Sequence, residues 1–180
     1  HLTCISATAP ELIYIAARAG YDAVSPRLVQ MNVPGEFDES PLRPDMIAAT
    51  KVALQTTGLQ VLDIELARIT DDCDPRNFEA ACALGGELGA KRLIMSAWTT
   101  TRDDRNFLVD VYGETCDIAA QYGLTVDLEF PSFSRLRNLD ETLDIVRAAD
   151  RPNGGILIDT LYLHLSRVDT GELLHTPAEL

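Results

Sequence analysis

The chain has 180 residues, 46% of them hydrophobic, enough for one domain with a single sizeable core. Its 15 Lys and Arg against 28 Asp and Glu give a net charge of −13. That argues against nucleic acid or an anionic membrane as a partner, since both need a basic face, and leaves small polar substrates open. No apolar run approaches the roughly 18 residues of a membrane span.

The chain opens at His1 rather than Met and shows no signal peptide, so a single domain over residues 1–180 is expected, incomplete at both ends. Cys4, Cys73, Cys82 and Cys116 form no CxxC pair and read as reduced thiols of a cytoplasmic protein. A homo-oligomer is left open.

In chain order a unit repeats: a short apolar strand, a polar loop, an amphipathic helix, then Gly. "HLTC" is the first strand. Thr8 and Glu11 form a capping box and Pro10 sits in the first turn of a helix whose stripe is Leu12, Ile15, Ala16 and Ala19, stopped at Gly20. "YDAVSPRL" is the second strand. The loop 29–44 has the length and internal prolines of a lid. A helix follows from about Asp45 to Thr57, and "LQVLDIEL" is the third strand. Asp74-Pro75 opens a helix with the stripe Phe78, Ala81, Cys82, Gly85 and Leu88. "KRLIMSAW" is the fourth strand, followed by a helix carrying Leu108, Val111, Tyr112, Thr115, Ile118, Ala119 and Tyr122 on one face. "LTVDLEF" is the fifth, backed by a helix marked by Leu139, Leu143 and Val146, and "GGILID" is the sixth.

Six βα units predict a parallel sheet with helices outside. A doubly wound sheet would suit the length, but no Gly-rich phosphate loop follows strand one. A (β/α)8 TIM barrel suits the polar strand ends, although it needs about 250 residues and eight strands. The expected fold is therefore α/β, a TIM barrel of which this chain holds the first six units.

Period-two alternation assigns the inner face. Leu62, Ile64 and Leu66 face the helices, and Val61, Asp63 and Glu65 face inward. Val126, Leu128 and Phe130 go outward, and Asp127 and Glu129 inward. Val24 and Leu28 go outward, Ser25 and Arg27 inward. Leu157 and Asp159 also face inward, while strand four is ambiguous in phase. Arg27, Glu65, Glu129 and Asp159 thus end four strands at the mouth where barrel enzymes place their chemistry. Glu129 and Asp159 lie on neighbouring strands, about 5 Å apart at the backbone. Two such carboxylates repel unless a cation lies between them, and with a nearby histidine they suit Mg²⁺, Mn²⁺ or Zn²⁺.

The alternative is a structural ion-pair network with Arg27 or Arg92. Asp63 and Asp127, one layer deeper, suit that role. Four charged strand ends at one mouth favour a site. His164 would reach the mouth or cap a helix, His1 would face inward beside Thr3, and Trp98 and Phe133 would stack on substrate or pack.

"APELIYIAARAGYDAVSPRL", "GLQVLDIELARIT", "LGAKRLIM", "YGLTVDLEF" and "RPNGGILIDTLYLHLSR" together resemble the sugar phosphate isomerase/epimerase family. These are xylose isomerase-like TIM barrels, which also include inosose dehydratases, tagatose epimerases and type IV apurinic endonucleases. The resemblance implies a divalent metal ion (Mn²⁺, Mg²⁺, Zn²⁺ or Co²⁺) held by Glu129 of "LEF" and Asp159 of "IDT", with two further ligands from strands seven and eight. Arg27 and Glu65 match positions that look like substrate contacts in such barrels. From the residues themselves, Glu129 and Glu65 are expected as catalytic groups and Arg27, His164, Tyr162, Trp98 and His1 as substrate contacts. Many members carry a histidine where this chain has Tyr162. The acidic chain does not suit the endonuclease branch. The implied activity is isomerisation or epimerisation of a sugar, polyol or related hydroxy-ketone. Alternatives are a lyase of the inosose- or dehydroshikimate-dehydratase type and a non-catalytic sugar-binding barrel.

Overall fold

The computed structural model describes residues 2–102 and 104–176. The first two helices end at Gly20 and Gly58, where the sequence predicts stops. Helix α1 (Ala9–Ala19) begins where the Thr8 N–H and Oγ1 both donate to the Glu11 carboxylate, at 2.9 and 2.8 Å. Helix α2 (Pro44–Thr57) stops at Gly58, whose φ of 74° is a left-handed value that suits glycine. The others are α3 (Glu79–Glu87, after a 3₁₀ turn over Pro75–Phe78), α4 (Arg105–Ala120), α5 (Leu139–Ala149) and α6 (Thr160–Leu165).

Strands β1 (Ala23–Val24) and β2 (Gln60–Val61) form one parallel pair. Strands β3 (Ile64–Ile69), β4 (Arg92–Ala97), β5 (Thr125–Glu129) and β6 (Gly154–Leu157) form a four-stranded parallel sheet in that order. An isolated parallel bridge, Arg27 to Glu65, links the two. The large core lies between this wall and the helices: Val24, Leu28, Ala67, Leu93, Met95, Val126 and Leu128 meet Ile13, Ala53, Cys82, Leu108 and Val146. This is the α/β architecture of a barrel wall, with β6 pairing only with β5 among the described residues.

Side chains tie helix α4 to strands β5 and β6. Tyr112 on α4 has no exposure; its hydroxyl accepts from Gly155 N at 3.0 Å and donates to Val126 O at 2.9 Å. The phenol sits so close to β6 that a Cβ on Gly154 would lie 2.7 Å from it, so the close approach requires glycine. All four cysteines are free thiols, and burial pushes Cys82 up to about 11 and Cys116 to about 12. No helix among the described residues is long and apolar enough to cross a membrane.

Three expectations are corrected. Leu2–Cys4 is a 3₁₀ turn, not a strand: Leu2 is 64% exposed, so no buried apolar face holds it in a sheet. The buried stripe of α1 is Ala9, Ile13 and Ala16, while Ile15 and Ala19 are exposed, because the run Leu12 to Ile15 is apolar all round and gives no phase. The third strand is broken into β2 and β3, and its register shifts again between Ile64 and Ala67. Val61 therefore meets the outer core and Leu62 is 58% exposed. Leu66 turns inward onto Met31, Ile94 and Leu157. An irregularity of this kind reverses the alternation beyond it, so Ala67 and Ile69 face the helices and Arg68 faces inward.

Candidate active site

Strand β5 keeps unbroken alternation and fixes the site. Its register pairs Glu129 with Ser96 on one side and Leu157 on the other, and Ser96 pairs with Arg68 of β3. Residues in register share a face, so Arg68, Ser96 and Glu129 line the inner side of the wall near its C-terminal end. This also settles the phase of β4: Ile94 and Ser96 are inward, Leu93 and Met95 outward. One layer deeper, Arg92 Nη1 donates to Asp127 Oδ2 at 3.0 Å and Thr125 Oγ1 to Oδ1 at 3.1 Å. Asp63 lies beside Ser25 in the same layer, its carboxyl raised by burial.

Glu129 is pushed up to about 7, first by burial and then by the charge of Asp159. Glu65 is pushed up to about 8, first by burial and then by Asp63, with Glu129 adding to the rise and Arg27 opposing it. The three carboxylates therefore interact at one end of the sheet. Asp159 has a second task the sequence reading missed: its Oδ1 caps α6, accepting from Leu161 N at 2.7 Å and Tyr162 N at 3.4 Å. The sequence "DTLYLHL" carries that signal, an Asp at the start of an apolar helical run. The capped helix presents Tyr162 to the same carboxylates. Its phenol is raised by burial and then by the charges of Glu129 and Asp159.

An aromatic row walls the site. The Trp98 and Phe133 rings meet edge-on at 5.3 Å between centroids, and Phe133 and Tyr162 at 5.7 Å. Trp98 is fixed by its Nε1 donating to Ser96 Oγ at 2.5 Å, and the Arg68 guanidinium lies 5.2 Å from its ring centre.

Arg27 is 3% exposed, sealed under the loop 29–44. Its nearest carboxylate is Glu36, with Nη1 to Oε1 at 3.3 Å. Glu36 also accepts from Met31 N at 3.0 Å and Val33 N at 3.3 Å, and Arg68 Nη2 donates to Met31 O at 2.6 Å. This stretch of the loop, expected as a lid, is pinned by a buried carboxylate. Glu36 and Arg68 were missed because a loop has no periodicity and because the register shift hid the phase of β3. His164 is exposed on α6, and His1 lies outside the described residues.

Glu129 and Asp159 offer hard oxygen donors whose mutual repulsion a divalent cation would offset, so the pair fits a metal. Among the described residues no group of three or more His, Cys, Asp or Glu is placed to hold an ion, so the pair supplies part of a ligand set.

In the metal-free protein these shifts have a pH signature. Both carboxyls rise from an ordinary 4.5, so between about pH 4.5 and their folded values the native state holds protons that the unfolded chain has released. The stability they contribute is present below pH 4.5 and is lost as pH rises through about 7 for Glu129 and about 8 for Glu65. Glu65→Gln should therefore gain stability relative to wild type as pH goes from 5 to 9. Urea unfolding at both pH values checks this, and a pH-independent difference would contradict it.

Residues 13–175 match the family described as xylose isomerase-like TIM barrel, and the chain belongs to that family. No curated protein matches the chain. Among solved structures, the IolI protein with a bound zinc atom superposes with a TM-score of 0.73 at 20% identity, over 97% of this chain and 66% of that one. A D-allulose 3-epimerase from Methylomonas sp., in complex with D-allulose, gives 0.69 at 24%, over 91% and 60%. The 3-keto-D-glucoside 4-epimerase YcjR from E. coli gives 0.73 at 19%, over 93% and 69%. At these identities the likeness is one of fold, and the chain spans 60% to 69% of the length of these three proteins.

Proposed function

We propose that the whole protein is a metal-dependent isomerase or epimerase acting on a sugar, polyol or related hydroxy-ketone, by proton abstraction next to a carbonyl through an enediolate. Residues 1–180 are one domain of it, and the barrel is completed by chain outside them. The supporting observation is the meeting of Glu65, Glu129 and Asp159 at one end of the sheet, Glu65 and Glu129 being inward carboxyls on strands that flank β4. Glu65, raised to about 8 chiefly by burial, titrates where a group can both accept and return a proton.

Glu129 holds the position to take the proton from the carbon beside the carbonyl. Glu65, across β4, holds a proton to return. Tyr162 orients a substrate hydroxyl beside Glu129, and the Trp98, Phe133 and Tyr162 rings exclude water along one side of the sugar. Glu129 and Asp159 would hold the cation, Asp159 through Oδ2 because Oδ1 caps α6. When bound, the ion supplies Lewis-acid polarisation of the substrate carbonyl. The bound zinc of the IolI protein and the sugar substrates named for the two epimerases support this reading.

The test is proton exchange. Full-length protein with Mn²⁺ and a panel of ketoses in D₂O should place deuterium next to the carbonyl, read by NMR. A new conjugated chromophore without exchange in recovered substrate would mean a dehydrating lyase. Neither signal across the panel would leave a binding barrel.

A further inference from the structure

Arg68 joins two parts of the site that the sequence holds far apart. It stands on β3 in register with Ser96 of β4, which is in register with Glu129 of β5. Its Nη2 donates to the Met31 carbonyl of the loop 29–44 at 2.6 Å, and its guanidinium carbon lies 5.2 Å from the centre of the Trp98 ring. Trp98 Nε1 in turn donates to Ser96 Oγ. The indole is thus held from two neighbouring strands, by a cation on β3 and a hydroxyl on β4. A guanidinium is a rigid plane of donors, so fixing one N–H at a carbonyl orients the whole group, and a cation beside an indole is attracted by the electron-rich ring.

The loop needs this contact beyond its root. Val29 N donates to Glu65 O at 3.0 Å, which anchors the start. Beside it an open cleft of about 200 Å³ separates Val29 and Gln30 of the loop from Arg68, Thr70 and Phe78, so packing does not close the loop onto the sheet there. Two groups turn the chain back: Glu36, accepting from Met31 N and Val33 N, and Arg68, donating to Met31 O. Met31 then lies buried against Leu66 and Ile94, with Val33 and Trp98 packed on the same cluster. Glu36 is the carboxylate whose charge acts on Arg68, and Arg27 and the loop amides already engage it. The role of Arg68 therefore rests on shape and hydrogen bonding, not on a surplus of charge.

We propose that Arg68 is the positioning residue of the site: it sets the Met31 turn of the loop and the Trp98 indole against each other, and so fixes where the aromatic row stands beside Glu129. The row carries that setting on. Trp98 meets Phe133 at 5.3 Å, Phe133 meets Tyr162 at 5.7 Å, and Tyr162 is the ring on which the charges of Glu129 and Asp159 act. Arg68 works through Trp98 rather than on the reacting atoms. Only the effect on substrate rests on the isomerase reading.

Full-length protein labelled with fluorotryptophan gives one fluorine NMR resonance per indole, and Trp98→Phe identifies that of Trp98. Arg68→Met should shift this resonance and raise its response to exchange of H₂O for D₂O, which reads solvent access to the ring. Arg68→Lys keeps the charge and a donor for Met31 O but loses the plane, and should move it part of the way. Lys51→Met breaks an exposed ion pair with Glu87 on the outer helices and should leave it in place. With the ketose that exchanges deuterium, Arg68→Met should raise KM roughly two- to fivefold, the scale of one cation–π contact, and change kcat less. An unmoved Trp98 resonance, or one moved as far by Lys51→Met, overturns the proposal. If Arg68→Met does not fold, an unmoved resonance in Arg68→Lys does so. A resonance that moves while KM and kcat both stay put reduces Arg68 to a structural strut and also overturns it. Because the resonance is read without substrate, a shifted Trp98 in a protein that exchanges no ketose would remove the isomerase reading and leave Arg68 as the residue that sets the ring. Exchange with an unmoved resonance would do the reverse.

Discussion

Glu129→Gln in the full-length protein is expected to lose metal affinity and turnover together, whereas Glu65→Gln should lose turnover and keep the metal. The fall in rate is expected to be roughly 10²–10⁴-fold in each, the range for removing a positioned proton-transfer group. The reason for the difference is position. Glu129 sits on β5 next to Asp159 at the end of β6, and the Asp159 charge is the second cause of its raised pKa. Glu65 lies beyond β4, where Asp63 outweighs Glu129 among the charges that raise it. A cation shared by Glu129 and Asp159 therefore loses one of its two donors from this chain in the first variant and neither in the second. Steady-state rates with metal content measured on the same samples check this. Equal metal loss in both variants would mean that Glu65 is itself a ligand.

Glu36→Ala is expected to be the most destabilising single change. It removes the nearest carboxylate of Arg27 while the guanidinium stays buried, with both side chains nearly inaccessible, at 2% for Arg27 and 3% for Glu36. It also strips the acceptor from the Met31 and Val33 amides that shape the loop. Arg68, whose charge already disfavours protonated Arg27, stays nearby. Breaking a buried pair from one side costs about 3–5 kcal/mol, and Glu65, which also favours charged Arg27, offsets part of that. Urea unfolding should show that loss, and adding Arg27→Met should recover part of it, since the orphaned charge is then gone. A loss below about 1 kcal/mol, in the range of an exposed pair, would show that the loop does not depend on this contact.

The helices and their stops were legible because each carries local chemistry: a capping box at Thr8, glycines at 20 and 58, an apolar stripe on α4. Strand β5 was legible because "TVDLE" alternates without interruption and one face is charged, so Asp127 and Glu129 were placed inward correctly. Strand β3 was not. Its alternation is reset by a register shift that depends on pairing with β4, and no residue in "VLDIELAR" announces it. That shift brings Arg68 to the inner face and turns Leu66 away from the helices. Glu36 was hidden for a different reason: it acts from a loop without periodicity, on Arg27 and on nearby backbone amides. Asp159 was found as an inward acid but not as a helix cap, although the two roles share one carboxylate. His164 was expected either to reach the mouth or to cap a helix. On α6 it is an exposed position, while Tyr162 is the residue that faces the carboxylates.

Sharing of a divalent cation by Glu129 and Asp159 is measured most directly by the melting temperature of the full-length wild type and of Glu129→Gln in excess EDTA and then with added Mn²⁺. A ligand at a hundred times its Kd stabilises the native state by about 2.7 kcal/mol, a shift of several degrees for a protein of this class. That shift is expected in the wild type, with little or none in Glu129→Gln. A wild type that melts identically in EDTA and Mn²⁺, and remains active in EDTA, would contradict it.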